Sequence, residues 1–528
     1  MSDRFDTDYK VGQDNIEKWG MDMHNPVFFV SAALVIVFIV LTLINPVGAK
    51  KVFDASKSWT IQNFDWFFMI SGNIFVLFCI LVAVLPVGKI RLGGPDSTPD
   101  FTRLSWFAML FAAGMGIGLM FWSVAEPVAY YTDWWGTPLN VTPKTPEAAR
   151  AAMGATMFHW GLHPWAIYAV TALALAFFTF NKGLPLTIRS TFFPLLKDKA
   201  WGWPGHIIDT ISVLATIFGL ATSLGFGAQQ AASGLNFLFG IESTIGLQVT
   251  IITCVTGVAV ISVVRGLEGG VKVLSNFNMA LAVLLLIFII LAGSFTHFFT
   301  GLFKTTWAYV EYILPLSNWI DRADEKFYKG WTVFYWAWWI SWAPFVGMFI
   351  ARISKGRTVR EFMMAVLLVP TLLTLIWMQA FGGNALLQIQ EGVGALAAKG
   401  LGQVPLATFQ MLENLPMAQI TSFFGIVLVL VFFITSSDSG SLVVDSITAG
   451  GKLDAPVTQR IFWAVMEGLI AACLLVGGGA DALGAIQAIA ISVGLPFTVI
   501  MVVMVISIYM GLNHERKYGY RNLNQTGI

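Results

Sequence analysis

The chain has 528 residues, of which 56% are hydrophobic and 12% charged; its net charge is +1 and its mean hydropathy is +0.73. Because globular proteins have about 25% charged residues, this composition predicts an all-α polytopic membrane protein rather than a series of soluble domains. Long, continuous apolar runs exclude a transmembrane β-barrel, which needs short alternating segments. The near-neutral charge gives no sign of a nucleic-acid partner. The cysteines (Cys79, Cys254 and Cys473) have neither disulfide nor metal-ligand spacing.

Twelve apolar segments are each long enough to cross a bilayer as a helix. They are residues 26–46, 64–87, 104–129, 150–180, 206–236, 243–264, 274–301, 330–354, 360–384, 417–449, 456–478 and 484–511. Segments 1–25 and 512–528 are expected to be short polar tails, with no cleavable signal peptide. Residues 302–329 mix aromatic and charged side chains, which predicts an amphipathic helix at the membrane surface. Segment 386–416 is expected to be an external connection.

The distribution of basic residues predicts the orientation. Lys and Arg are about twice as frequent in the segments on the side of both tails as in those on the other side. By the positive-inside rule both termini lie in the cytoplasm, and the protein is expected in the inner (plasma) membrane of a bacterial cell. We expect no Lys or Arg within a span.

Two predicted spans contain residues that interrupt helices. Gly114–Gly118 in the third span has three glycines in five residues, and the eighth span contains Pro344 and Gly347. Each would begin a half of five spans, and paired interruptions of this kind indicate a transporter's binding site near the bilayer midplane. The alternative is that the glycines only allow close helix packing.

Spans four and eight are also rich in aromatic residues. Those that share or flank a helix face are Trp160, Trp165, Tyr168, Trp338, Trp339 and Trp342. An interfacial belt of Trp and Tyr is the ordinary explanation, but Trp338, Trp339 and Trp342 lie centrally in their span. We therefore predict an aromatic cage for a cation, and a quaternary ammonium group fits it best because it needs no hydrogen bonds.

Two further patterns complete a candidate site. A helix interrupted at Gly114–Gly118 would offer free N–H groups to an anion such as a carboxylate, so that the site as a whole would bind a small zwitterion. In span ten, the hydroxyls of Thr435 and Ser436 are hard oxygen donors suited to Na⁺. The alternative is that these hydroxyls only bond to their own helix backbone.

Intramembrane ionisable residues are functional candidates by default. The acids are Glu126, Asp438, Asp445 and Glu467. Glu126 is interpreted as a structural tie rather than a proton relay, and His159 and His163 as packing residues. We find no nucleophile–base or metal-ligand set, so the chain is not expected to be an enzyme.

Four motifs resemble the betaine/choline/carnitine transporter (BCCT) family. They are GMGIGLMFWSVAEP (114–127), FHWGLHPWAIY (158–168), WAWWISWAPFVGMFIARISKGRTVREF (336–362) and TSSDS (435–439). The resemblance implies twelve transmembrane helices with a LeuT-type inverted repeat. Two N-terminal helices (26–103) would precede the two repeats (104–301 and 330–511), and the assembly would be a homotrimer.

The resemblance also implies which residues bind substrate and ion. The substrate site would consist of the six aromatic residues named above, with Ala113, Met115, Gly116, Ile117 and Gly118 facing the carboxylate end. One Na⁺ site would consist of Ala112, Met115, Phe432, Thr435 and Ser436. A second would use Thr216 and Phe345, but Leu220 replaces a further threonine of that pattern, which argues against it.

Together these observations predict a carrier that imports a small onium zwitterion, such as glycine betaine or dimethylsulfoniopropionate, with Na⁺ by alternating access. Na⁺ would be the coupling ion, and no cofactor is expected. Choline-preferring relatives tend to have an aspartate where this chain has Gly118, which favours a zwitterion. The alternatives are a choline or carnitine carrier working by uniport, exchange or H⁺ symport through His163 or Glu467, and a channel.

Overall fold

A computed structural model describes residues 5–114, 116–266, 272–398 and 400–520. These residues are almost entirely helical. The α-helices in chain order are α1 (Val27–Ile44), α2 (Pro46–Val84), α3 (Arg103–Gly114), α4 (Ile117–Thr132), α5 (Pro146–Trp160), α6 (Leu162–Phe180), α7 (Phe193–Leu196), α8 (Trp203–Phe239), α9 (Ile245–Gly266), α10 (Lys272–Ala292), α11 (Phe295–Ser317), α12 (Glu325–Phe327), α13 (Val333–Arg352), α14 (Val359–Met378), α15 (Asn384–Gln390), α16 (Ala407–Glu413), α17 (Ala418–Thr448), α18 (Val457–Gly478) and α19 (Ala482–Tyr518).

The outer helices have apolar faces that none of the described residues covers. Within the described residues, ten helical stretches are long and apolar enough to cross a membrane, with mean hydropathies of 1.3 to 3.1. On α1, Leu41 is 62% and Ile44 is 75% exposed. Since apolar side chains in water are costly, these faces fit the hydrocarbon of a bilayer. The prediction of a polytopic membrane protein is confirmed.

Two predicted boundaries are wrong. The seventh span ends with α10 at Ala292, and the amphipathic helix α11 runs from Phe295 to Ser317 rather than over 302–329. Ser294 produces the break, because its hydroxyl caps α11 by accepting a hydrogen bond from the His297 N–H at 3.3 Å. Segment 386–416 contains the short helix α16, in which Phe409 is fully buried against the bundle.

One predicted interruption is present and the other is not. α3 and α4 are separate helices, with Gly116 in an extended conformation between them (φ −165°, ψ −179°). The eighth span, in contrast, is continuous as α13 through Pro344 and Gly347. Proline removes one backbone hydrogen bond, but neighbouring helices can hold such a helix together. Gly347 shows how closely they pack, because a Cβ there would be 2.8 Å from Thr171 of α6.

The fourth predicted span contains a break that the sequence analysis missed. α5 ends at Trp160 and α6 begins at Leu162, with Gly161 between them at φ −102° and ψ −127°. The Leu162 N–H donates a hydrogen bond to the Tyr309 hydroxyl of α11 at 2.8 Å. The amphipathic helix therefore stabilises the interruption. Its signal was Gly161 followed by Pro164, since proline favours the first turn of a helix.

The aromatic helix α13 runs through the centre of the bundle. It packs against α6, α8 and α19, and Trp336 and Trp338 are almost fully buried. Close approach depends on small residues: a Cβ on Gly494 of α19 would be 2.9 Å from the Ala337 carbonyl oxygen. The crowded centre thus holds the aromatic side chains of α13 in place.

Residues 5–24 form an ordered clasp rather than a simple tail. An antiparallel hairpin of β1 (Asn15–Lys18) and β2 (Met21–His24) lies on the end of the bundle that carries both chain ends, which we call the terminal face. Asp22 pairs with Lys452 in the α17–α18 connection. At the other side of the clasp, the Tyr9 ring stacks on Trp201 at 4.3 Å. The clasp therefore links the start of α8 to the α17–α18 connection.

The clasp is expected to loosen in acid through His24. Burial, with the Arg189 charge nearby, lowers the pKa of His24 from 6.5 to about 3. Because protonation occurs more readily in the released segment, docking is fully stable above about pH 6.5 and weakens toward pH 3. Between pH 6.5 and 5.5, we expect protection factors in residues 5–24 to fall by up to about tenfold in hydrogen exchange.

The other groups facing His24 are His206 and Asp14, and both remain in a His24→Gln variant. That variant should show protection that is nearly independent of pH in this range. An equal acid response in both proteins would assign the effect to another group.

Candidate functional site

One pocket lies between α3, α4, α5, α6, α8, α13 and α14, near the middle of the bundle. All six predicted aromatic residues line it: Trp160, Trp165, Tyr168, Trp338, Trp339 and Trp342. Ala113, Gly116 and Gly118 of the predicted backbone wall also line it, together with Ser223. Ile117 does not, because its side chain packs toward Gly227 on α8. Met115 lies outside the described residues. We call this cavity the aromatic pocket.

The rings of the aromatic pocket form walls at right angles. Trp338 and Trp339 stack, with centroids 5.1 Å apart and planes 21° apart. Trp160 lies at 83° to Trp339 with centroids 4.8 Å apart, and Tyr168 lies at 90° to Trp339 at 5.9 Å. Such an arrangement presents ring faces from several directions, and indole faces attract cations.

Three indoles of the pocket are held by their N–H groups. Trp160 Nε1 donates to the Glu126 carboxylate at 2.6 Å. The other two donate to backbone carbonyls at 2.9 Å, Trp339 to His159 and Trp342 to Gly219. Because each N–H is engaged in a hydrogen bond, the ring orientation is restrained before any ligand enters.

Gly118 sets the width of the pocket. A Cβ at this position would be 2.7 Å from Cη2 of Trp338 and 2.9 Å from Cη2 of Trp160. Two indole tips therefore meet the backbone of α4 where only a hydrogen fits. An aspartate at this position would require both rings to shift.

The two helix breaks place helix N-termini at the pocket. α4 begins at Ile117 and α6 at Leu162, and the first N–H groups of a helix have no partner within that helix. The positive ends of two helix dipoles therefore favour an anionic group nearby.

Three buried polar groups of the pocket lack hydrogen-bond partners among the described residues. They are the Tyr168 hydroxyl, the Ser223 hydroxyl and Trp338 Nε1. Buried donors are normally paired, so these groups are suited to an acceptor such as a carboxylate. The sequence analysis missed Ser223. Its only signal was a serine within an apolar span, which is common in membrane helices.

Four of the five residues of the predicted Na⁺ site lie within the described part of the chain. The Thr435 hydroxyl donates to the carbonyls of Val431 at 3.0 Å and Phe432 at 3.2 Å, and Ser436 is half-buried beside it. Ala112 lies near the end of α3. Since Met115 lies outside the described residues, this site stays a prediction.

The predicted second Na⁺ site is surrounded by apolar packing. The Thr216 hydroxyl donates to the Ser212 carbonyl of its own helix at 2.8 Å, and Phe345 packs edge-on against Trp342. Leu220, where a third oxygen ligand was expected, lies against Gly440 of α17. This packing adds to the argument against the site, which stays untested.

The expectation that no basic residue lies within a span is wrong. Arg460 is in the first turn of α18, is 8% exposed and contacts the Asp438 carboxylate at 2.5 Å. Asp438 also accepts a hydrogen bond from Ser262 at 2.6 Å. Burying a charge without a partner costs a large amount of free energy. Arg460 and Asp438 therefore lie together as an ion pair.

Glu126 is the structural tie that the sequence predicted. Its side chain is fully buried, and its carboxylate accepts hydrogen bonds from the hydroxyls of Tyr130 and Tyr335, from His159 Nδ1 and from Trp160 Nε1. It therefore connects α4 with α5 and α13, which supply walls of the pocket.

A wide cavity of about 1040 Å³ opens on the face opposite the terminal face. It is lined by Asn236 near the end of α8, by Ile245 at the start of α9 and by Gly479 between α18 and α19. Trp331 also lines it, just before α13 begins. Both polar and apolar side chains line this cavity.

Comparison with known proteins decides the family. Residues 26–517 match the profile described as "BCCT, betaine/carnitine/choline family transporter". The chain belongs to the BCCT family. It is thus a multi-pass membrane transporter and not an enzyme.

Named BCCT relatives cover nearly the whole chain. Glycine betaine transporter 1 of Vibrio parahaemolyticus is 62% identical over 97% of this chain and 98% of its own length. A glycine betaine/proline/choline/ectoine transporter of the same organism is 58% identical over 96% of this chain and 91% of its own length. Glycine betaine transporter OpuD of Bacillus subtilis is 42% identical over 78% of this chain and 79% of its own length.

Two glycine substitutions test the geometry of the pocket. Gly118→Ala should weaken binding of glycine betaine by tenfold or more, because the new methyl group would displace Trp160 and Trp338. Gly257→Ala on α9 is the matched control, since nothing lies within 4 Å of a Cβ there and Gly257 does not line the pocket.

Binding is measured by tryptophan fluorescence of each purified variant titrated with glycine betaine. Equal affinities of the Gly118→Ala variant and the unmodified protein would show that these indole tips do not contact the substrate.

Proposed function

We propose that this transporter is a Na⁺-coupled symporter of a small quaternary-ammonium or sulfonium zwitterion. The observation that carries the proposal is the aromatic pocket itself. Perpendicular indole and phenol rings enclose a space that also touches the start of α4. An onium group suits the rings and a carboxylate suits the helix end.

The substrate class follows from the two ends of the pocket. A methylated onium group needs no hydrogen bonds and loses its hydration easily, so that ring faces alone can hold it. The carboxylate would accept hydrogen bonds from the unpaired donors of Tyr168, Ser223 and Trp338. Gly118 supplies no acid to balance a substrate without a carboxylate, which favours a zwitterion over choline. The names of the relatives favour glycine betaine first.

We further propose twelve membrane crossings. α3 and α4 together make one crossing, as do α5 and α6, and α18 and α19 are separate crossings because Gly479 (φ +55°) interrupts them. These crossings would form the inverted repeats 104–301 and 330–511. Their basic connections favour a cytoplasmic location for the terminal face. In a bacterium this would be the inner membrane, and the resemblance to BCCT carriers favours a homotrimer.

Coupling to Na⁺ would make uptake respond to the membrane potential. One charge moving through 100 mV supplies about 2.3 kcal/mol, which supports roughly 50-fold accumulation. Thr435, Ser436 and the Phe432 carbonyl would provide oxygen ligands from α17. Arg460 would not substitute for the ion, because the Asp438 carboxylate already pairs with it.

Transport in proteoliposomes tests the coupling. Uptake of labelled glycine betaine should require Na⁺ and carry about one positive charge per substrate, measured as electrogenic current against tracer uptake. Uptake that persists in K⁺ but collapses with a protonophore would replace Na⁺ by H⁺. Absence of counterflow exchange would indicate a channel.

Thr435→Ala should raise the Na⁺ concentration for half-maximal uptake by about tenfold, the loss of roughly 1.4 kcal/mol for one hydroxyl ligand. Thr421→Ala is the control, because the Thr421 hydroxyl makes the same kind of hydrogen bonds to backbone carbonyls as Thr435 but lies outside the proposed ion site. The same Na⁺ dependence in both variants would remove Thr435 from the ion site.

A further inference from the structure

The buried carboxyl group of Glu126 is surrounded by four hydrogen-bond donors. Oε1 accepts from Tyr130 and His159 at 2.8 Å each, and Oε2 accepts from Trp160 and Tyr335 at 2.6 Å each. A carboxylate has acceptor sites for all four donors, whereas a protonated acid would bring a donor of its own. Four charge-assisted hydrogen bonds replace the water that a buried anion loses.

The charge of Glu126 is not neutralised by these partners. A neutral His159 satisfies its contacts, because Nδ1–H can donate to Glu126 while Nε2 accepts from the Thr332 hydroxyl at 3.0 Å. The tyrosine hydroxyls and the indole N–H are uncharged donors as well. A full negative charge can therefore stand next to the pocket wall.

The indole of Trp160 separates this charge from the pocket. Its Nε1 points to Glu126, while Cη2, at the far end of the ring, lies where a Cβ on Gly118 would be 2.9 Å away. Donation from an indole N–H to an anion polarises the ring and increases the negative charge of its face. The carboxylate also attracts a cation in the pocket directly, since a low-dielectric interior screens charges weakly.

We propose that Glu126 is a positioning residue that gives the aromatic pocket its selectivity for a positively charged headgroup. It orients Trp160, holds Tyr335 behind the stacked indoles of α13, and makes the pocket electrostatically negative at the onium end. The inference rests on the proposed function, because it assumes that the onium group lies against these rings.

The test compares glycine betaine with 3,3-dimethylbutyrate, in which a carbon replaces the quaternary nitrogen. The two ligands have nearly the same shape and the same carboxylate. The ratio of their dissociation constants therefore reports how much the positive charge contributes to binding. Dissociation constants are measured by isothermal titration calorimetry on purified full-length protein in Na⁺. A dissociation constant does not depend on the fraction of folded protein.

Glu126→Gln should weaken binding of glycine betaine by tenfold or more and change the affinity for 3,3-dimethylbutyrate by less than twofold. The ratio of the two constants should thus fall by at least about fivefold. If Glu126 had a merely structural role, the variant would weaken binding of both ligands equally. That result would overturn the proposal.

Two variants separate charge from geometry. Tyr335→Phe removes one of the two donors to Glu126 Oε2, the oxygen that also accepts from Trp160, and keeps the carboxylate. The ratio of the two dissociation constants should therefore stay within threefold of its value in the unmodified protein. Glu126→Asp keeps the charge and should retain a higher ratio than Glu126→Gln. If Tyr335→Phe lowers the ratio as far as Glu126→Gln, the hydrogen-bond network and not the charge makes the selection.

The unmodified protein distinguishes failure of this inference from failure of the proposed function. No measurable binding of glycine betaine, or equal affinity for the two ligands, would contradict an onium site altogether. Strong preference for glycine betaine that survives Glu126→Gln would leave the proposed function standing and overturn the role of Glu126.

Discussion

An interrupted helix inside a membrane exposes backbone N–H groups to an environment without water, and the aromatic pocket lies where two such interruptions meet. α4 begins after Gly116 and α6 begins after Gly161, and both helices supply walls of the pocket. The Tyr309 hydroxyl accepts from Leu162 and shows how the protein satisfies such a group when no ligand is needed. In the proposed function, the backbone N–H groups at the start of α4 would favour the anionic group of the substrate.

The continuous helix α13 supplies three of the aromatic side chains that line the pocket. Because it stays helical through Pro344, Trp338, Trp339 and Trp342 keep fixed relative positions on one rigid element. Hydrogen bonds to neighbouring helices then orient individual rings. Trp342, for example, donates from Nε1 to the backbone carbonyl of Gly219. A rigid aromatic helix opposite two broken helices would bring the proposed cation-binding rings close to the proposed anion-binding helix ends.

Two buried charged groups elsewhere in the bundle follow the same physical constraint, since each has polar partners where water is excluded. Arg460 pairs with Asp438 between α18 and α17, and Glu126 collects four donors between α4, α5 and α13. At the terminal face, the clasp of residues 5–24 joins elements of both proposed repeats through Tyr9 and Asp22. Any movement of one repeat against the other must therefore act on this clasp.

The sequence by itself determined the membrane class, the positions of the apolar helices, the break at Gly116 and the aromatic composition of the pocket, because long apolar runs, glycine clusters and Trp-rich helix faces have few physical solutions. Only the tertiary structure decided that span four breaks at Gly161 while span eight continues through Pro344. The contacts of Tyr309 and Thr171 come from helices distant in sequence. The same holds for the unpaired Ser223 hydroxyl, the buried Arg460 and the four donors around Glu126. Hydrogen bonds and close packing between distant segments depend on distances of a few ångströms, and no local pattern of residues encodes those distances.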